Sequence, residues 1–420
     1  MKILEDTLHF FITEAQNKGN FDTLKFLNLM ENAFQSAGFR DEYSNDEQQN
    51  ILVIRLDSIG DNVLNSGFLR ELRRNYPSAH ITLIVNPTVY NLVELCPYVN
   101  EVLGIKFNYK NLFLWFNDAI KLCREKLWRR HFDICFNPRW GNDTYYATVL
   151  SFISGARERV AYSTQVHPDK NNSNFGYDLF LTIPILNQPN VIHETERNLF
   201  VLKTMGLTVQ DTKNELWYNH EDVFNVNKLI LENGGKDTQN LISICNGAGN
   251  QGFNRIYPTE LLAQALKQIA DKIDYNFVYL GSKEFSAFGE FLQHSLGNRL
   301  INLAGKTTLR EMCAVMSKTK MYIGSNTGTM HIAAALKIPV IMIFKDAKDC
   351  PKDSVSTILR FTPWQTPTII VQPEHALKPC CDQIPVAECF ADEPHCITQI
   401  TPQNIVDAFD VMEKIVYNSK

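Results

Sequence analysis

Apolar residues recur along this chain either at helical spacing or in short unbroken runs, and the alternation of the two organises the sequence. Residues 1–37 read as helical twice over, with apolar positions Leu4, Leu8, Phe11, Ile12 and Ala15, then Phe21, Leu24, Leu27 and Ala33. Asn17-Lys-Gly-Asn20 breaks the two, which predicts a helical hairpin. Residues 38–50 turn polar, as a linker does. From Ile51, apolar β-rich runs at 51–56, 80–85, 102–105 and 132–136 alternate with helical periods, the longest ending at Arg130. After a polar stretch at 208–221 the pattern restarts with runs at 241–245, 277–280, 300–304, 321–324 and 340–344. Such alternation predicts parallel sheets covered on both faces. Thr308-Leu-Arg-Glu311 matches a capping box, and Thr401-Pro402 an N-cap with proline at the first helical position, so each should open a helix. The expected class is α/β. A helical extension and linker at 1–50 precede one α/β half at 51–215, a second at 216–400 and a closing helix at 401–420.

Composition narrows the function classes. The chain is 45% hydrophobic and 21% charged, ordinary globular values, and its net charge of -5 argues against a general nucleic-acid binder. No apolar run reaches the ~18 residues that a spanning helix needs, and Glu5 and Asp6 interrupt the start too early for a signal peptide. Ten cysteines in 420 residues are too sparse for a disulfide scaffold. Cys96, Cys123, Cys135, Cys245 and Cys313 sit in apolar patterns where buried thiols are common. The expected compartment is therefore the cytoplasm.

Two junctions carry the chemistry. Arg55-Leu-Asp-Ser-Ile-Gly-Asp61 follows the first apolar run of one half, and Gly324-Ser-Asn-Thr-Gly-Thr-Met-His331 follows a run of the other. Each places backbone N–H groups at the carboxyl end of a strand, where open α/β sheets bind anions and nucleotides. Neither is a dinucleotide fingerprint, and no Walker loop occurs. Taken singly, Asp61 reads as a helix N-cap or first-turn acid and Asn326 as an N-cap. Their recurrence at corresponding places in two halves is what suggests a base facing a bound leaving group.

With Leu69-Arg-Glu-Leu-Arg-Arg-Asn-Tyr-Pro77, His193-Glu-Thr-Glu-Arg-Asn-Leu199, Asn246-Gly-Ala248, Arg255-Ile-Tyr-Pro258, Asn302-Leu-Ala-Gly-Lys-Thr307 and Pro394-His-Cys-Ile397, these junctions form an ordered set over roughly residues 50–415. The set resembles glycosyltransferase family 9, the ADP-heptose:lipopolysaccharide heptosyltransferases. The resemblance implies two Rossmann-like domains facing across a cleft (GT-B type), and inversion at the donor sugar without a metal or other cofactor. It implies that Asp61 is the general base that deprotonates the acceptor hydroxyl. Thr327, Gly328 and Thr329 would offer N–H groups to the leaving nucleoside diphosphate, His331 a side-chain donor, and Arg255 a bidentate guanidinium. Ser58, Gly60, Gly281, Lys306 and Asn326 complete the implied nucleotide-sugar contacts. The implied donor is ADP-heptose and the acceptor a glycolipid, lipopolysaccharide core or a related surface glycan. A protein hydroxyl, as in the autotransporter heptosyltransferases, is the alternative acceptor, and a non-catalytic nucleotide-sugar-binding protein the alternative function.

Three positions depart from the family pattern. Asn326 stands where Asp usually precedes Thr-Gly, Tyr257 replaces Trp, and Asn246 is followed by Gly rather than Pro-Gly. Lys121, Arg124, Lys126, Arg129 and Arg130 read as a solvated helix end, with a site for acidic glycolipid as the alternative. His193, Glu194, Glu196 and Arg197 read as a polar helix face, with a donor-sugar contact as the alternative. Cys380, Cys381, Cys389 and Cys396 lack paired C-x-x-C spacing, so thiols are favoured over a metal knuckle. The hairpin's apolar faces must pack on the amino-terminal domain or in a homo-oligomer, and the core of the following domain should be complete without them. Peripheral contact with the inner face of the membrane is compatible with the acceptor.

Overall fold

The computed structural model describes residues 1–18, 22–39, 49–107, 112–186, 190–236, 238–247, 255–350, 358–378 and 395–418. The chain divides into two compact units: Met1–Ser58 with Asn65–Thr212, and Ile59–Leu64 with Lys213–Lys420. The short segment that carries Asp61 thus groups with the second unit.

The first unit is built on a six-stranded parallel sheet: β1 (Asn50–Arg55), β2 (His80–Val85), β3 (Glu101–Gly104), β4 (Ile134–Asn137), β5 (Glu158–Tyr162) and β6 (Ile183–Ile185). Their order is β3-β2-β1-β4-β5-β6. The second unit repeats the order with β7 (Leu241–Cys245), β8 (Asn276–Tyr279), β9 (Leu300–Asn302), β10 (Thr319–Ser325), β11 (Val340–Ile343) and β12 (Thr368–Val371). There it reads β9-β8-β7-β10-β11-β12. In both sheets the first strand and the fourth are neighbours, and chain direction across the sheet reverses between them. That is the topological switch point, where α/β sheets open a crevice for ligands beyond the strand ends. Two parallel sheets with helical crossovers make this an α/β fold of two Rossmann-like halves, the GT-B type.

The hairpin helices Lys2–Lys18 and Thr23–Ser36 pack one face into the first unit's core. Leu4, Leu8, Phe26 and Phe34 are fully buried in one cluster with Trp115, Phe116, Phe152 and Phe180. Phe26 meets Phe116, Phe152 and Phe180 with ring centroids 6.3, 5.8 and 6.0 Å away. Docking on the amino-terminal unit is therefore what the hairpin does. The expectation that this core is complete without it fails, because Phe26 is the ring those three aromatics surround.

The long helix expected to reach Arg130 is Leu112–Leu122, continued by a π-helical turn Cys123–Leu127. Its basic end faces solvent, with Arg124 paired to Glu5 at 2.6 Å and Arg130 to Glu101 at 2.7 Å. In the second unit the capping box forms as expected at Thr308 and Glu311. The last helix, Pro402–Asn418, packs on Thr259–Ala270 and β12. Among the described residues no helix is long and apolar enough to cross a membrane.

Candidate functional site

In the second unit the switch point lies between β7 and β10, and the register that pairs Cys245 with Gly324 brings Asn246 beside Ser325, one residue before Asn326, at adjacent strand ends. Asn246 is fully buried. Its amide donates to the Tyr257 carbonyl at 2.5 Å, its oxygen accepts from the Tyr257 N–H at 3.1 Å, and Ser325 Oγ donates to the same oxygen at 3.4 Å. Tyr257 in turn donates its hydroxyl to the Ile400 carbonyl at 2.8 Å. This ties Tyr257 to the crevice, and Arg255, two residues before it, is half-buried.

Beyond β10 the chain turns into the helix Gly328–Ala335, whose N-cap is Thr327 rather than the expected Asn326. The correction has a simple cause. Thr327 is extended (φ -140°, ψ 178°), as an N-cap must be, and its carbonyl already accepts from Met330 N at 3.0 Å. The Thr327 side chain does not bond to the helix N–H groups. Instead its Oγ1 lies 2.8 Å from Thr329 Oγ1, which lies 3.0 Å from the Tyr322 hydroxyl, and Tyr322 donates to the Ser325 carbonyl at 3.1 Å. Tyr322 is fully buried, and burial pushes its pKa well above the ordinary phenol value, so this hydroxyl chain stays neutral. Asn326, Thr327, Gly328 and Thr329 remain half-buried. The result is a neutral cradle of N–H groups and hydroxyls at a helix start, suited to an anion.

Asp61 lies in the first turn of the helix Ile59–Leu64, half-buried, and that helix packs on Gly328–Ala335 within the second unit. Gly60 abuts His331, and Gly328 abuts Ile59. Ser58, just before the helix, is exposed. Lys306 and Gly281 are held elsewhere. Lys306 Nζ donates to Asn233 Oδ1 at 2.5 Å and to the Asn302 carbonyl at 3.0 Å, while the Gly281 carbonyl accepts from Gly305 N at 2.8 Å. They follow β9 and β8, three and two strands from β10.

The first unit's switch point, between β1 and β4, is filled differently. Arg55 ends β1 fully buried, with Nε 2.8 Å from Asp57 Oδ2, one terminal nitrogen 3.0 Å from Glu194 Oε1 and the other 3.2 Å from Asn198 Oδ1. Arg139, just past β4, pairs with the other Asp57 oxygen. His193 and Glu194 were expected on a polar helix face. They are buried instead, because Glu194 neutralises the Arg55 guanidinium and His193 caps its helix by accepting from Thr195 N at 3.2 Å. Arg197 stacks on Trp140 with its guanidinium carbon 3.6 Å from the ring centre. Lys170, also buried, donates to the Arg139 and Trp140 carbonyls at 3.2 Å each. Asp57, Arg139, Trp140 and Lys170 escaped sequence reasoning. The available signal was Arg55 itself, a lone charge closing an apolar run that had to find a buried carboxylate.

The profile of glycosyltransferase family 9 (heptosyltransferase) matches residues 149–380, more than half of the sequence. The chain belongs to this family. Lipopolysaccharide heptosyltransferase 1 of Campylobacter coli is 30% identical to the family 9 chain over 310 residues, covering 70% of it and 83% of the relative. Lipopolysaccharide heptosyltransferase 2 of Escherichia coli K12 is 23% identical over 317 residues, covering 70% and 82%. Among solved structures, the E. coli ADP-heptose lps heptosyltransferase II superposes with a TM-score of 0.64 at 18% identity, covering 86% of the family 9 chain and 98% of its own. Of the cysteine group, Cys380, Cys381 and Cys389 lie outside the described residues. Cys396 is buried, with its sulfur accepting from Leu377 N at 3.3 Å.

Proposed function

We propose that this transferase moves a heptose from ADP-heptose onto a lipopolysaccharide core or related surface glycan, in one inverting displacement without a metal, on the cytoplasmic side of the membrane. The names of the relatives support the sugar and the acceptor class, and the name of the solved E. coli neighbour supports the adenine nucleotide. The observation that carries the reading is the packing of the Asp61 helix on the helix that opens with Thr327-Gly-Thr329. A carboxylate and an anion cradle on packed helices are the two parts an inverting transfer needs.

In this reading the Asp61 carboxylate takes the proton from an acceptor hydroxyl as its oxygen bonds to the anomeric carbon. The bond from that carbon to the diphosphate oxygen breaks with its electron pair, so negative charge builds on the leaving ADP. The first N–H groups of Gly328–Ala335 and the Arg255 guanidinium stabilise that charge. The hairpin's inner face lies within the first unit's core, and it lends no support to a protein acceptor.

The test is release of ADP across a panel of nucleotide sugars, with Asp61→Asn as the control. The amide keeps the size of the side chain but cannot serve as base. Transfer should fall by about 10²- to 10⁴-fold while ADP affinity and melting temperature barely move. A mutant that keeps more than about a tenth of the rate lies outside that range, and the base must then be sought elsewhere.

A further inference from the structure

The helices Ile59–Leu64 and Gly328–Ala335 meet through glycine on both sides. A β-carbon at Gly60 would lie 2.8 Å from Cδ2 of His331 and 3.5 Å from the Gly328 Cα. One at Gly328 would lie 2.8 Å from Cβ of Ile59 and 3.2 Å from the Gly60 nitrogen. Real β-carbons essentially never come within 3.0 Å of another heavy atom, so both positions need glycine for the helices to approach this closely. Backbone conformation is not the reason, since neither residue has positive φ. His331 is 5% exposed, its Cδ2 edge fills the space beside Gly60, and its ring centre lies 6.3 Å from that of Phe361.

We propose that Gly60, Gly328 and His331 are positioning residues for Asp61. His331 acts on the helix that carries the base rather than on the donor diphosphate. The inference rests on the reading of Asp61 as the base. Asp61 directly follows Gly60 in a helix of only six residues, so any displacement of that first turn moves the carboxylate with little attenuation. Relieving the 2.8 Å overlap to an ordinary 3.4 Å contact takes a shift of about 0.6 Å. Misplacement on the order of 1 Å costs up to about 10²-fold in rate.

The experiment is a size-compensation series in the full chain: Gly60→Ala, His331→Ala and the double variant, each measured for kcat, KM and calorimetric ADP affinity. Gly60→Ala should lower kcat by roughly 10- to 100-fold with ADP affinity unchanged. Removing the imidazole makes room for the new methyl. In the His331→Ala background, adding Gly60→Ala should therefore change kcat by less than about threefold, well under the loss misplacement causes. An equal loss in both backgrounds overturns the inference.

If Gly60→Ala fails to fold, His331→Ala decides alone. A lower kcat with unchanged ADP affinity supports positioning. Weakened ADP binding at unchanged kcat, or no change in either, overturns it. Asp61→Asn in the same series separates the two levels of the argument. If that variant stays active, the base reading and the positioning inference fall together. If it is inactive while Gly60→Ala is fully active, only the positioning inference falls.

Discussion

The two units share one strand order, yet their switch points hold opposite kinds of chemistry. The first is occupied by formal charges, with half-buried Arg139 and the buried Asp57, Arg55 and Glu194 linked in a row. The second is lined mostly by neutral groups, the Asn246 amide, the Tyr322, Thr327 and Thr329 hydroxyls and the start of a helix, and the charge assigned to it is the half-buried Arg255. Topology thus chooses where a crevice opens, and side chains choose whether it is a fixed structural joint or a receptive surface. A charged row of this kind has satisfied itself. A neutral cradle with a helix dipole keeps its preference for an anion.

Four measurements test that contrast. The largest effect is expected in the charged crevice, where Arg55→Met leaves Glu194 buried without its guanidinium. Stability of the first unit should drop by about 3–5 kcal/mol in a denaturant titration, the range for breaking a buried pair from one side. A change under about 1 kcal/mol, the range of exposed pairs, would mean the row is not what holds this crevice. In the second unit Arg255→Ala should weaken ADP binding by about 1.5–3 kcal/mol with the fold intact. Calorimetry showing unchanged affinity would remove Arg255 from the cradle.

Tyr322→Phe deletes one donor of the neutral chain but leaves Thr327 and Thr329 bonded to each other. It should lower the stability of the second unit by only about 0.5–1.5 kcal/mol. A loss as large as that of Arg55→Met would erase the distinction between the two crevices.

The smallest effect concerns His80 at the start of β2. Burial first, and then the neighbouring Arg130 guanidinium, holds its pKa below the ordinary imidazole value. Between the lowered value and about 6.5, the unfolded chain binds more protons than the folded one, so stability rises with pH in that window. Its contribution is complete above about pH 6.5 and is lost as the solution is acidified. His80→Gln should flatten the acid limb of the first unit's melting curve. An unaltered limb would assign it to other groups.

The parts of this fold legible in the sequence are those governed by local pattern. The runs that became β1, β2, β7 and β10 were continuous enough to read, and so were the two helices of the hairpin, although the second buries Phe26, Met30 and Phe34 with Ala33 and leaves Leu24 exposed. β5 and β6 were not read. β5 carries Arg159, buried because its side chain donates to the Phe180 and Ala156 carbonyls at 2.6 and 2.7 Å, and a charge of that sort interrupts an apolar run. β6 is Ile-Pro-Ile, a three-residue edge strand whose proline argues against a strand when read alone. β12 also escaped, although Ile369 and Ile370 lie within it. At the site, Asp61 and Thr327 to His331 were legible as two strand-to-helix junctions. That Gly60 and Gly328 touch was not, because a contact across 268 positions leaves no local mark. Glu194 misled for the same reason. Its partner Arg55 is 139 residues away, and a first-turn acid with no visible partner reads as surface.

The burial of the hairpin also has a consequence in time. Its apolar face is synthesised before Trp115, Phe152 and Phe180, which enclose it and follow about 80 to 145 residues later. At ribosomal rates that wait is on the order of ten seconds. Throughout it Leu4, Leu8, Phe26 and Phe34 lack their native cover, long enough for hydrophobic segments to find one another or a chaperone. The yield of folded chain should therefore depend on translation speed across residues 40–180 more than on the stability of the finished structure. Slower codons placed just after the hairpin would lengthen the exposure, and the same codons placed after residue 180 would not.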